Sequence, residues 1–335
     1  MGRHVLVARL DNAGDVLLAG PAVRAVAHTA GRVTLLVGPL GRAAAELLPG
    51  VAEIVEWRAP WIDAAAPPVS AHHVARLMRG LPEVDEAIIL TSFHQSALPL
   101  ALLLRLHGVE RITAISNDYP GSLLDVRVQV DESIDVPEAE RMLAVARAAG
   151  YTLAGGDDGR LAVRRPLPGT DHLTGPPGYV VVHPGASVPA RAWPAGRHRE
   201  AVAALAEEGL AVVVTGGPGE RELTAEVAGS HGLDLGGRTS LPELAGILAR
   251  AGVLVSGNTG PAHLAAAVGT PVVSLFAPVV PAGRWAPYGV PSVLLGDQHA
   301  PCRASRARLC PVPGHPCLTD VSAEQVVKAV RELIR

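Results

Sequence analysis

The chain has 335 residues, 48% of them hydrophobic and 18% charged, with a formal net charge of −3. It is long for a single core and too apolar for a disordered chain, so two globular domains are expected. Four Trp, four Tyr and two Phe, with no dense basic block, leave neither an electrostatic footprint nor a stacking surface for nucleic acid.

The opening MGRHVLVARLDNAGD carries an apolar run too short for a signal peptide, and the longest apolar stretch, Leu98–Leu104, stops at Arg105. Leu6 stands where a myristoylation signal needs Ser or Thr. A cytoplasmic protein with no transmembrane segment is expected, and a peripheral membrane contact stays compatible with that reading.

Along the first half, His4–Ala8, Arg32–Val37, Val51–Glu56, Glu86–Leu90 and Arg111–Ile115 read as strands. Asp15–His28, Arg42–Leu48, Val69–Arg79 and Ser96–Leu106 read as the helices between them. Such alternation predicts an α/β fold with a parallel sheet covered on both faces.

The pattern loosens over Tyr151–Pro177, where Gly, Asp and Pro accumulate, and this is the expected interdomain connection. Strands resume at Tyr179–Val182, Leu210–Val214, Val253–Val255, Val272–Leu275 and Ser292–Leu295, with helices at Gly196–Glu207, Gly219–Gly229, Leu241–Ala251 and Pro261–Val268. Ser322–Arg335 has the spacing of an amphipathic helix. The domains are therefore drawn at 1–165 and 175–320, with 321–335 as a terminal helix.

Two glycine-rich turns carry the chemistry. In SGNTGPAHLAAAVGTP, residues 256–271, a turn opens a small-residue helix whose first N–H groups and dipole suit an anion. A second turn, His183-Pro184-Gly185-Ala186-Ser187, is followed by Arg191, and together the two suggest a diphosphate held from two sides. Each turn alone is also an ordinary strand-to-helix connection. Twin doubly wound units place ligands beyond the carboxyl ends of their strands, which makes the cleft between the halves the expected site. The first strand exits into Asp11-Asn12-Ala13-Gly14-Asp15, where Asp15 reads either as a helix cap or as a catalytic base. That turn has no GxGxxG, which argues against a dehydrogenase.

Three stretches, VLVARLDNAGDVLLAGPAVRAV, VVVHPGASVPARAWP and LVSGNTGPAHLAAAVGTPVVSLFAP, resemble the signature regions of glycosyltransferase family 9, the ADP-heptose:lipopolysaccharide heptosyltransferases and their relatives. The likeness runs through nearly the whole chain in order and spacing. It implies a GT-B fold of two Rossmann-like domains, acceptor on the first and nucleotide-sugar donor on the second, with the C-terminal helix crossing back to the first. It also implies an inverting transfer that needs no metal or other cofactor, in accord with the absence of an Asp-x-Asp motif.

By position, the resemblance makes Asp15 the catalytic base and gives Ser187, Arg191, Thr259 and Gly260 to the donor diphosphate. Arg191 stands where the family usually has Lys. Glu220 matches the ribose-binding acid and Thr239 a side chain packed against the base, while Asn258 occupies the sugar-binding position where the family usually has Asp. An amide offers one acceptor and a donor group where a carboxylate offers two acceptors, so the donor's hydroxyl pattern is expected to differ. His263 reads either as a diphosphate contact or as a packed structural residue.

On the acceptor side, Trp57, Trp61, His72, His73, Ser92, His94, Gln95 and Tyr119 lie at or after strand ends, with His94 and Gln95 the leading contacts. The basic residues are almost all Arg, Lys328 being the single lysine, a bias typical of high-GC genomes. This favours a small aminoglycoside-like or other secondary-metabolite acceptor over a lipopolysaccharide core. A nucleotide-sugar 2-epimerase of the same fold and a non-catalytic nucleotide-sugar-binding protein are the alternatives. Cys302, Cys310 and Cys317 fall near His299 and His315, which suits zinc in ligand type, but without a CxxC pair a reduced, partly mobile loop is expected.

Overall fold

In the computed structural model, which describes residues 2–63 and 65–334, the chain divides after Arg164 into two units. The first holds β1 (His4–Arg9), β2 (Arg32–Val37), β3 (Glu53–Glu56), β4 (Glu86–Ile89), β5 (Arg111–Ile115) and β6 (Val126–Val128). The second holds β7 (Val180–His183), β8 (Val212–Val214), β9 (Leu233–Asp234), β10 (Val253–Gly257), β11 (Val272–Leu275) and β12 (Ser292–Leu295). Every neighbouring pair is parallel, in the orders β3-β2-β1-β4-β5-β6 and β9-β8-β7-β10-β11-β12.

In each unit the chain steps outward from its first strand to one edge, returns, and steps outward the other way. The reversal lies between β1 and β4 in the first unit and between β7 and β10 in the second. Connections on either side of it leave toward opposite faces, opening the crevice in which such sheets bind ligands. Because helices cover both faces, the central strands are apolar on both sides: Val5, Leu6, Val7 and Ala8 of β1 and Val253, Leu254 and Val255 of β10 are all buried. Leu100 and Leu104 pack on the first sheet, and Val202 and Leu205 on the second. Each fully buried aliphatic side chain contributes roughly 1.5–3 kcal/mol.

The helix expected over 15–28 is two, Ala13–Leu18 and Gly20–Thr29. Pro21 has no N–H to donate and sits in the first turn of the second helix, which is where the ladder breaks. A helix over Glu138–Ala148, absent from the sequence reading, packs on Gly20–Thr29; Pro137 ahead of it and Glu138 and Glu140 in its first turn were its start signals. Edge strands β6 and β9 are too short to leave a periodic pattern.

The loosened stretch 151–177 is not a free linker. Tyr151 Oη donates to Glu86 Oε2 (2.9 Å), Arg24 grips Asp157 (2.7 Å), and Arg164 donates its Nε–H to the Leu48 carbonyl (2.8 Å), all within the first unit. Further on, Arg250 pairs with Asp171 at 2.5 Å within the second.

The final helix, Ala323–Leu333, opens with a capping box between Ser322 and Gln325. Val326, Val327 and Val330 are buried in the core of the second unit, against the helix Ala195–Glu207 and strands β10 to β12. Among the described residues no helix is long and apolar enough to cross a membrane.

Candidate active site

In the first unit, β1 ends on Arg9, whose side chain is completely buried. Its Nη2 donates to Asp15 Oδ1 (2.9 Å) and to Ser92 Oγ (2.8 Å), and its Nε forms an ion pair with Asp11 Oδ2 at 3.1 Å. Burial works against the guanidinium charge, but Asp11 and Asp15 outweigh it and raise the Arg9 pKa. Asp11 is held above the ordinary carboxylate range, chiefly by burial, with Arg9 opposing and the charge of Asp15 adding to the rise.

Asp15 lies in the first turn of Ala13–Leu18, two places after the first helical residue. The N-cap is Asn12, and no side chain caps this helix. The cap reading of Asp15 therefore falls away, and its carboxylate stays about one-fifth exposed at the reversal between β1 and β4.

Gln95 donates its Nε2–H to Asp11 Oδ1, and its Oε1 accepts the Ser92 N–H (3.0 Å). Both ends of the amide are engaged, so Gln95 enters the site as a brace on Asp11. His94 is exposed, with its ring edge-on to Phe93 (centroids 5.2 Å). Trp57, His73 and Ser92 are all buried. Trp57 stacks on His73 (4.9 Å) and donates to its carbonyl (3.3 Å). Tyr119 and His72 are exposed. A recess of about 460 Å³ beyond the carboxyl end of β3 is lined by Glu56, Trp57, Arg58, Pro67 and Arg76.

In the second unit, register places His183 of β7 and Ser274 of β11 on either side of Ser256 in β10. Ser256 Oγ meets Thr259 Oγ1 at 3.0 Å, Thr259 is the N-cap of the helix Gly260–Val268, and Asn258 just before it is buried with Nδ2 lacking a protein partner. His263, on that helix, is also buried with Nδ1 unpartnered; burial, seconded by the charge of Arg191, lowers its pKa to about 4. Arg191 ends the short 3-10 turn Pro189–Arg191. A Cβ on Gly257 would come within 3.2 Å of the Arg191 carbonyl, so the loop after β7 and the end of β10 meet backbone to backbone. Arg191, Asn258, Thr259, Gly260 and His263 are thus brought together, with Ser187 exposed on the same loop.

Glu220 Oε2 accepts the Gly217 N–H (2.7 Å) and lies 3.8 Å from His183 Nε2. Burial lowers the His183 pKa against the pull of that carboxylate. A Cβ on Gly185 would run into the Glu220 carboxylate, which explains why a glycine follows Pro184. Thr239 is half-buried on a loop tied to the Glu220 loop by the Gly237 N–H donating to the Gly216 carbonyl (2.8 Å). All three cysteines are free, and among the described residues no group of three or more His, Cys, Asp or Glu side chains is arranged to hold a metal ion. Cys302 and Cys317 depart from the expected mobile loop by packing in the core, where burial, and then Cys302 and Cys310, push the Cys317 thiol up to about 12.

Arg9, Asp11 and Ser92 were not singled out together by the sequence. The signal available was a charged residue closing an otherwise apolar strand, followed by two aspartates in six residues.

Two Rossmann-like units, one presenting a carboxylate and the other a helix N-terminus beside an arginine, define a protein of the GT-B class. The chain belongs to glycosyltransferase family 9 (heptosyltransferase), whose defining pattern matches residues 74–315. That span contains the second and third motifs and excludes the Asp15 stretch.

Lipopolysaccharide heptosyltransferase 3 of Escherichia coli is 32% identical over 112 residues, 32% of this chain and 33% of that protein. The chain thus spans about a third of the length of that curated relative. Among solved structures, a glycosyl transferase family 9 protein from Veillonella parvula superposes with TM-score 0.77 at 19% identity, covering 99% of this chain and 97% of that one. The E. coli heptosyltransferase WaaC with ADP-2-deoxy-2-fluoro heptose superposes with TM-score 0.72 at 21% identity, covering 98% and 99%. At these identities the superpositions establish the fold.

Proposed function

We propose that this protein is an inverting glycosyltransferase that moves a sugar, heptose by the family likeness, from an ADP-sugar to a hydroxyl acceptor. The observation that carries the reading is Asp15: a carboxylate with no capping duty, at the strand-order reversal of the first unit, held through one oxygen by a buried arginine. Family membership and the donor analogue named with WaaC support the choice of donor.

In this mechanism Asp15 takes the proton of the acceptor hydroxyl as that oxygen attacks the anomeric carbon. The bond from that carbon to the diphosphate breaks, and the electron pair leaves on the diphosphate oxygen. Arg191, Ser187 and the N–H groups of Thr259 and Gly260 receive the developing charge, the helix dipole adding to it, so no metal is required. Asn258 donates its free Nδ2–H to the sugar, and Glu220 and Thr239 hold the nucleoside. A glycolipid or a small secondary-metabolite acceptor binds on the first unit, for which the recess beside Arg58 and Arg76 offers space.

Product analysis with ADP-heptose and a panel of lipopolysaccharide-core and aminoglycoside-like acceptors tests the reading. Asp15→Asn should keep ADP binding and lose about 10²–10⁴ in turnover, the usual worth of general-base help. Undiminished turnover removes Asp15 from the mechanism, and epimerised nucleotide sugar formed without acceptor replaces transfer with isomerisation.

A further inference from the structure

The two oxygens of Asp15 are not equivalent. Oδ1 accepts the Arg9 Nη2–H at 2.9 Å, and Oδ2 accepts no hydrogen bond among the described residues. The same Nη2 donates to Ser92 Oγ, just beyond β4, while Nε faces Asp11, whose other oxygen is braced by Gln95. Arg9 is therefore fixed from β1, from the loop after it and from the loop after β4. Its remaining nitrogen, Nη1, is buried without a partner.

Resting on the reading of Asp15 as the base, we propose that Arg9 is the positioning residue of the transfer, fixing Asp15 by Oδ1 so that Oδ2 receives the acceptor proton, with Asp11 and Gln95 holding Arg9 in turn. As the acceptor oxygen bonds to the anomeric carbon, its proton passes to Asp15 Oδ2 and the diphosphate departs with the electron pair of the broken bond. Arg9 donates no proton in this step; it holds the base in line and offsets its negative charge. Asp11 is a second negative group on the same guanidinium, so it weakens that offset. The other charged groups near the pair are Glu138, which acts on Arg9, and His94, which acts on Asp11.

Two variants read this arrangement in opposite senses. Arg9→Gln removes the positive charge, so the acidic limb of the kcat/KM profile should move to higher pH, and loss of alignment should lower kcat about 10²-fold. Asp11→Asn removes the competing carboxylate, so the same limb should move to lower pH. Arg9→Lys, which keeps the charge without the fork, should return the limb toward its original pH while kcat stays reduced. The donor KM and the calorimetric affinity for ADP should be unchanged in all three. Limbs unmoved in folded Arg9→Gln and Asp11→Asn would overturn the proposal, as would an Arg9→Gln enzyme of full kcat. If Arg9→Gln does not fold, Asp11→Asn carries the test alone, and an unmoved limb there overturns it. Asp15→Asn separates the two readings: its full activity removes the base, whereas its inactivity beside neutral Arg9 variants removes only the positioning role.

Discussion

Gly185→Ala is a one-carbon test of the donor half of the site. The added Cβ would occupy space now filled by the Glu220 carboxylate, the far end of a flexible side chain, so the carboxylate moves while the backbone stays. The move sacrifices the 2.7 Å hydrogen bond from the Gly217 N–H to Glu220 Oε2. Hydrogen bonds to charged groups contribute about 1.5–3 kcal/mol. The Glu220 side chain is 30% exposed, so water replaces part of that bond and a net loss of about 1 kcal/mol is expected. In a domain of this size that lowers Tm by about 2–4 °C. With Glu220 on the ribose, ADP affinity should fall by about tenfold, equivalent to about 1.4 kcal/mol.

Thermal melts and calorimetric titration with ADP are the assays, and Glu220→Ala completes a double-mutant cycle. Glu220→Ala has already lost the hydrogen bond, so adding Gly185→Ala to it should cost almost nothing, a coupling of about 1 kcal/mol. Strict additivity of the two substitutions would show that the clash with Glu220 is not the cause. An unchanged Tm in Gly185→Ala would refute the packing argument itself, and an unchanged ADP affinity would take Glu220 out of nucleotide binding.

Arg191→Ala should weaken ADP binding by about 10–150-fold through loss of a charge-assisted contact of about 1.5–3 kcal/mol; an unchanged affinity by calorimetry contradicts the diphosphate role. His198, lowered to about 3 by burial and the charge of His183, and His263, lowered to about 4, must stay neutral in the folded protein. The unfolded chain binds more protons below the ordinary histidine pKa of 6.5, so stability is full above that pH and falls as pH drops toward 4 and 3. Denaturant unfolding should show a loss of about 2 kcal/mol per site between pH 7 and pH 5, and a flat profile would mean that both imidazoles charge without cost.

Much of the architecture was legible in the sequence because parallel strands buried on both faces leave uninterrupted Val, Leu and Ala runs. The runs at β1, β2, β5, β11 and β12 lie within a residue of where they were read, and the glycine-rich turns after β7 and β10 fall between the strand and helix expected there. What stayed out of reach were features whose cause is remote in sequence. The valines of the last helix state that one face is apolar, not which core it enters, and they entered the second unit. Gln95 and Trp57 looked like free polar and aromatic groups at strand ends; their partners, Asp11 and His73, are set by the order of the strands and the packing of the helices.

The amino-acid order by itself therefore determined the alternation of strands and helices, the parallel sheets and the glycine-rich turns after β7 and β10, because each depends on residues within a turn or two of one another. Only the tertiary structure decided that Arg9 is shared by Asp11, Asp15 and Ser92 and that Asp15 keeps one oxygen free. That arrangement needs β1 and β4 to be neighbours, although 76 residues lie between Arg9 and Glu86, the first residue of β4. Adjacency of that kind is a property of the sheet's strand order, and no local pattern encodes it.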